Sequence, residues 1–578
     1  MKKINFNWQR VLNYLIPYLA IIILTTFIIS NQLIHHATFV TADRYFHFSR
    51  FYDAAQQIKT GNYSYFQNNY TSLQSGRIIN ALYGPFFAYL NGLLVLITGN
   101  WFTYQIVMDY IVYLVGGMAI YRMTKKVAVP TPAAILLALI YLTLGIMPGW
   151  IRADNFMAWG AALAPYVIMC GIDMVQDKNN PVHWIKLMLL MSILAQIHLL
   201  STVILAAGLI PFAIYALITA PDKKQVILNF IKAIAGTLVL TANIWGSFIF
   251  LYHTNKIALP KSFKLISSAV RLSYKGSEHG QLPLLVLILI IAQVIYVLFH
   301  LKENRLNTFV TLEGGIILLI ASRIMPWNYI QHLFPALGRS FQFPYRLMII
   351  GYPLLFLGIG LTVLELKKHK LIRLESYLLL VACLSQTTFF TYQTNVKLTK
   401  IYNDSSRVAV LTTYYQITNQ RTEIRKATEE NNLGELFEKI NRSEPDYLPI
   451  YAKKITPEMI NLLYRSEIID QAMNYQHTIH GSTLQLKWKS HNSDKVRLPV
   501  VMYKQSQLKV NGKNITPINL SAIGAPLIKE KAGINTVSLT FVVPIWFCSL
   551  VIISLIGWII LIVLGLKNMY KIMSRRQS

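Results

Sequence analysis

Asp43 and His47 stand four residues apart in Asp43-Arg44-Tyr45-Phe46-His47, just beyond the first long apolar run. On a helix this spacing puts a carboxylate and an imidazole on one face. Those groups are the usual ones for moving a proton or holding a metal. Asp43 suits a general base or a metal ligand, and its place at the start of a helical segment also suits a cap. Asp53 lies further along the same segment. Much later, Arg339 and Arg346 bracket Ser340-Phe341-Gln342-Phe343-Pro344-Tyr345. Guanidinium forks match phosphate oxygens, and Pro344 suits the first turn of a helix. Arg271 belongs to a basic loop, Tyr252–Gln281, with Lys256, Lys261, Lys264 and Lys275. A local anionic ligand would explain that loop, as would contact with headgroups. Arg152 and Asp154 form a pair that reads as local structure or as part of a site. His198 sits in a very apolar stretch and reads as a packing residue or as a ligand for phosphate or metal. The candidate catalytic residues are therefore Asp43 and His47. The candidate substrate-binding residues are Arg44, Asp154, His198, Arg271, Arg339, Gln342 and Arg346. The cofactor stays open: a divalent metal suits the carboxylates, and nucleotide chemistry has no support, since neither a phosphate-binding loop nor a dinucleotide fingerprint occurs.

The elements that must position these groups are membrane helices. The chain has 578 residues, 54% hydrophobic and 14% charged. That fits a polytopic α-helical membrane protein. The net charge of +29 resides mostly in short loops between apolar runs, where Lys and Arg meet membrane lipid and set orientation. It does not indicate nucleic acid. The three cysteines all lie in apolar runs and frame no disulfide or zinc site.

The apolar runs predict about twelve crossings, beginning with Val11–Ser30 and ending with Pro544–Leu566. The short run Trp184–Ile197 pairs with its successor in a hairpin turning near His198. Basic loops place both termini in the cytoplasm. Ala81–Thr98 is apolar, but counting it as a crossing would break that parity, so it reads as re-entrant or interfacial. Residues 1–390 then form the membrane domain, with a first outer loop over 31–100. Asp43–Lys59 reads there as an amphipathic helix at the interface, with Gly61 as its stop. Residues 391–543 form an extracellular α+β domain ending in a β-sandwich-like unit, with alternation in Leu484–Trp488 and Val537–Phe541 and a turn at Asn511-Gly512. Residues 544–578 are a last crossing and a basic cytoplasmic tail.

The order of these pieces resembles a known group. The Asp-x-x-x-His cluster precedes Gly61 and Tyr83-Gly84-Pro85-Phe86-Phe87. Phe341-Gln342-Phe343-Pro344-Tyr345-Arg346 follows late in the membrane part, and Asp446-Tyr447-Leu448-Pro449 in the outer domain. The chain resembles bacterial YfhO-type membrane proteins, is similar to the family labelled 6-pyruvoyl-tetrahydropterin synthase-related membrane proteins, and through both resembles GT-C glycosyltransferases. The pterin label finds no matching His and Cys arrangement here. The resemblance implies a GT-C-like fold in the plasma membrane and a polyprenyl-phosphate sugar donor. It implies transfer to a cell-envelope polymer such as teichoic acid or another surface polysaccharide, with Asp43 at the position of the catalytic carboxylate. Two other readings are a transporter or flippase for a lipid-linked saccharide and a noncatalytic envelope-assembly protein.

Overall fold

The computed structural model describes residues 8–153, 156–403, 415–416, 421–441, 446–516 and 518–577. Most are helical, and a β region lies near the C-terminal end. Five helices are long and apolar enough to cross a membrane: Trp101–Lys126, Met157–Gln176, Leu199–Thr219, Pro344–Lys368 and Ile545–Lys567. The pair Lys223–Leu240 and Ala242–Thr254, bent by 66°, makes a sixth if it is one span. This falls short of about twelve. Several expected spans form shorter apolar helices, among them Thr131–Thr143, Trp184–Ile197 and Leu284–Phe299. The Pro85–Thr98 helix has 14 residues and is about 21 Å long, less than a bilayer core of about 30 Å.

Two expectations change shape. The span expected to end at Phe390 continues as one helix, Lys370–Asn403, of 34 residues. At about 51 Å it outruns a bilayer core, so the boundary at 391 falls inside a helix. The Ala42–Thr60 helix is not an interfacial helix with one wet face. Arg44, His47, Ser49, Arg50 and Asp53 are as buried as Phe48 and Phe51. The Pro85–Thr98 helix packs along it so closely that a Cβ on Gly92 would lie 2.8 Å from the Ala55 nitrogen. Leu433, Leu436 and Ile440, far along the chain, join the same core.

The β region is a pair of packed sheets. The larger has five antiparallel strands in the order Gln476–His480, Thr483–Ser490, Gly533–Phe541, Ser506–Val510, Lys513–Asn514. The smaller orders Asn519–Leu520, Pro526–Lys529, Lys495–Arg497. Leu484, Leu486, Val537 and Leu539 point inward by the period-two alternation and meet Ile528 of the other sheet. The Asn511-Gly512 turn has positive φ at both residues, as a tight hairpin requires. The region clamps the segment between the Ala42–Thr60 and Pro85–Thr98 helices: Val501 N–H donates to the Ser75 carbonyl at 2.8 Å, and Phe541 stacks on Phe66.

Candidate active site

The Ala42–Thr60 helix starts at Thr41, whose hydroxyl accepts from the Arg44 N–H at 3.3 Å. The cap is thus Thr41 and not Asp43. Asp43 sits exposed in the first turn, where the helix dipole favours a carboxylate. Gly61 ends the helix with φ of +74°.

One turn on, the side chains are buried and mutually satisfied. Arg50 Nε donates to Asn80 Oδ1 at 3.0 Å, its NH1 to His47 Nδ1 at 2.9 Å, and its NH2 to the Tyr83 carbonyl. Its guanidinium lies 4.6 Å from the Tyr83 ring centroid. The His47 ring stacks on Phe156 at 4.0 Å. Burial pushes the His47 pKa well down, and the charges of Arg50, His198 and Arg44 push the same way. With Nδ1 accepting from Arg50, His47 is neutral and its proton resides on Nε2. Arg44 turns to the Ile151 carbonyl and to Asp109, 4.0 Å away. Both residues brace the helix through these contacts.

Tyr83 is the junction. Its successor Gly84 has φ of +72°, and a Cβ there would stand 1.9 Å from the Gln196 carbonyl oxygen. Only glycine lets the chain pass so close to the helix end that carries His198. Pro85 follows as the first residue of its helix. His198 caps the next helix through Nδ1, which accepts from the Ser201 N–H at 3.2 Å. Burial, helped by the Arg346 charge, pushes its pKa down to about 3. A neutral, capping imidazole explains this residue without a ligand.

Arg346 arrives on the short helix Pro344–Leu347 that leads into Met348–Glu365. It is 6% exposed, lies 4.6 Å from the Phe343 ring centroid, and donates through NH1 to the Phe341 carbonyl at 2.8 Å. Its Nε has no hydrogen-bond partner among the described residues. Asp446 precedes the β region in the chain. Its carbonyl accepts from Arg77 at 2.6 Å, and the Tyr447 carbonyl accepts from the Tyr503 hydroxyl at 2.9 Å. Tyr447 itself has φ of +64°, a strained setting for a tyrosine.

These groups meet electrostatically at Tyr83. Burial pushes its phenol up to about 12, the positive charges of Arg50 and Arg346 oppose that rise, and the negative charges of Asp43 and Asp446 add to it. Asp43 also acts on Tyr345 and Arg346. A carboxylate at the start of the Ala42–Thr60 helix, an arginine at the start of the Pro344–Lys368 span and a carboxylate that precedes the β region therefore act on one phenol. Such a set can take a proton, hold hydroxyls and balance an anion.

Arg271 and Arg339 are exposed. Gln342 is half-buried with φ of +62°. Asp154 lies outside the described residues. Among the described residues no three of His, Cys, Asp and Glu gather as a metal would require. Arg50, Tyr83 and Asp446 were not singled out as site residues from sequence. The signals were the three-residue step from His47 to Arg50, and the motifs that contain Tyr83 and Asp446.

No family model and no curated protein matches the chain. Among solved structures, that of the Archaeoglobus fulgidus oligosaccharyltransferase complex with Zn and sulfate is similar at 13% identity and a TM-score of 0.37. The similarity covers 76% of this chain and 59% of that one. At that score it carries no argument about the site, and this chain spans well under two thirds of the other.

Proposed function

We propose that the chain is a membrane glycosyltransferase of the GT-C type, as its resemblance to YfhO-type proteins implies. The donor is a sugar on polyprenyl phosphate. The acceptor is a hydroxyl of a cell-envelope polymer, teichoic acid or another surface polysaccharide, at the outer face of the plasma membrane. About twelve crossings, cytoplasmic termini and an extracellular large domain follow from the basic loops. The observation that carries this reading is the convergence of Asp43, Asp446 and Arg346 on Tyr83.

The step is a single displacement. The acceptor oxygen bonds to the anomeric carbon as the bond from that carbon to the phosphate oxygen breaks, inverting the centre. The acceptor proton passes to Asp43, which the helix start holds exposed. The charge left on the lipid phosphate meets the guanidinium of Arg346, whose buried Nε has no hydrogen-bond partner among the described residues. Asp446 is placed to accept hydroxyls of the sugar or acceptor. His47 and Arg50 fix the wall behind Tyr83.

The test uses the purified full chain with a lipid-linked sugar in detergent, where a flippase has no second compartment to fill. Asp43→Asn is expected to lower sugar transfer by about two to three orders of magnitude while leaving the melting temperature nearly unchanged. Transfer by this variant at the native rate would overturn the role of Asp43. No transfer by the native chain with any polyprenyl-phosphate sugar would overturn the enzyme reading itself.

A further inference from the structure

Two loops at one end of the bundle fold into a single lobe. Phe263 N–H donates to the Gly338 carbonyl at 2.8 Å, Gln331 donates to the Phe263 carbonyl at 2.8 Å, and Arg323 N–H donates to the Val270 carbonyl at 3.0 Å. Leu265, Ala269 and Trp327 are its small core. Three helices of the apolar bundle open directly from it. Leu284–Phe299 follows the strand Gln281–Pro283, Arg305–Ala321 runs into Ser322, and Pro344 starts the next span. The lobe therefore lies where the bundle leaves the lipid.

Its surface is of two kinds at once. Lys261, Lys264, Arg271, Lys275, Arg323 and Arg339 are all exposed. Neither Asn255–Ser277 nor Ser322–Phe343 contains a single Asp or Glu. Of nearby acids, Glu278 pairs with Arg152 at 2.9 Å, and Glu458 lies near Lys261. Between the cations, Tyr274, Ile324, Tyr329 and Phe334 each leave at least 60% of their surface uncovered. They continue the exposed Ile316 and Leu319 of the adjoining helix. Cations alone suit water. Cations interleaved with exposed aromatic and aliphatic side chains suit a headgroup layer, which pairs the charge and takes up the apolar part.

We propose that this lobe docks on anionic phospholipid headgroups of the leaflet around it. This accounts for basic loops on the side that the orientation rule leaves poor in Lys and Arg. It also ties lipid to the site, because Phe263 meets Phe343 at 4.8 Å and Arg346 lies over Phe343. The inference does not depend on the sugar-transfer reading.

The test titrates the purified full chain in neutral detergent with phosphatidylglycerol, phosphatidylcholine or polyprenyl phosphate and counts retained lipids by native mass spectrometry. The variant combines Lys261→Gln, Lys264→Gln and Lys275→Gln, all at exposed side chains. Retention of phosphatidylglycerol is expected to drop about fivefold, with phosphatidylcholine unchanged. Undiminished phosphatidylglycerol retention would overturn the proposal. So would a loss confined to polyprenyl phosphate, which would mark these lysines as a donor site.

Discussion

Arg50 and Arg346 approach the same phenol from two regions of the molecule and are held differently. Arg50 belongs to the packed outer helix, and all three of its nitrogens reach oxygen or nitrogen acceptors on His47, Asn80 and Tyr83. Arg346 belongs to the late membrane part, and one of its nitrogens has no partner among the described residues. Both are buried. The difference separates a fully bonded guanidinium from one that, among the described residues, keeps an unpaired buried N–H, as Arg44 also does at its Nε. Burial alone would have ranked them equal.

The sharpest way to break that comparison is to remove each charge in turn. Arg50→Gln leaves the His47 nitrogen, the Asn80 amide oxygen and the Tyr83 carbonyl without their donor. It is expected to cost about 3–5 kcal/mol of stability and much of the folded yield. Arg346→Gln is expected to leave the melting temperature nearly unchanged and to lower sugar transfer about a hundredfold. Thermal unfolding in detergent and the transfer assay read the two effects separately. Equal losses of stability in both variants would erase the distinction.

The junction between the regions gives the next largest effect. Gly84→Ala would drive a Cβ into the Gln196 carbonyl at a positive φ. The Tyr83 segment must then back away from the helix end that carries His198, for about 2–3 kcal/mol. A melting temperature equal to the native one would show that this close approach is not needed.

How much of this could be read from sequence follows the same division. The helix start near Asp43, the stop at Gly61, the strands through Leu484–Trp488 and Val537–Phe541 and the turn at Asn511-Gly512 were all legible. Each is set by local periodicity or backbone conformation. Asp43 acts electrostatically on Tyr345 and Arg346, a proximity set by packing between segments far apart in sequence. Burial of the outer helix was not legible. Tyr45, Phe46, Phe51 and Tyr52 give the same pattern whether the opposite face meets water or protein. What covers it comes from Pro85–Thr98 and from Leu433, Leu436 and Ile440, far away in sequence. The buried contacts of Arg44 and His47 were not legible for the same reason. Span lengths were legible only where helices run straight. The bend between Leu240 and Ala242 and the extension to Asn403 depend on partners that a hydropathy profile does not contain.

Asp53 offers the finest test of the packed side, because it is the buried carboxylate of the same helix. It accepts from Gln57 Nε2 at 2.6 Å and from the Tyr70 N–H at 2.9 Å. Burial nevertheless outweighs these bonds and pushes its pKa up to about 7. Between roughly pH 4 and 7 the folded chain therefore holds a proton at this position that the unfolded chain has lost. Stability from this group must then fall as pH rises through that window and level off above it. Asn at this position can keep the Tyr70 bond and does not ionise. Asp53→Asn is expected to flatten the decline, so that its melting temperature gains a few degrees relative to native between pH 5 and pH 8. Parallel pH profiles for the two proteins would mean that Asp53 stays charged throughout. The packed wall would then tolerate an ionised carboxylate as readily as the neighbourhood of Tyr83 does.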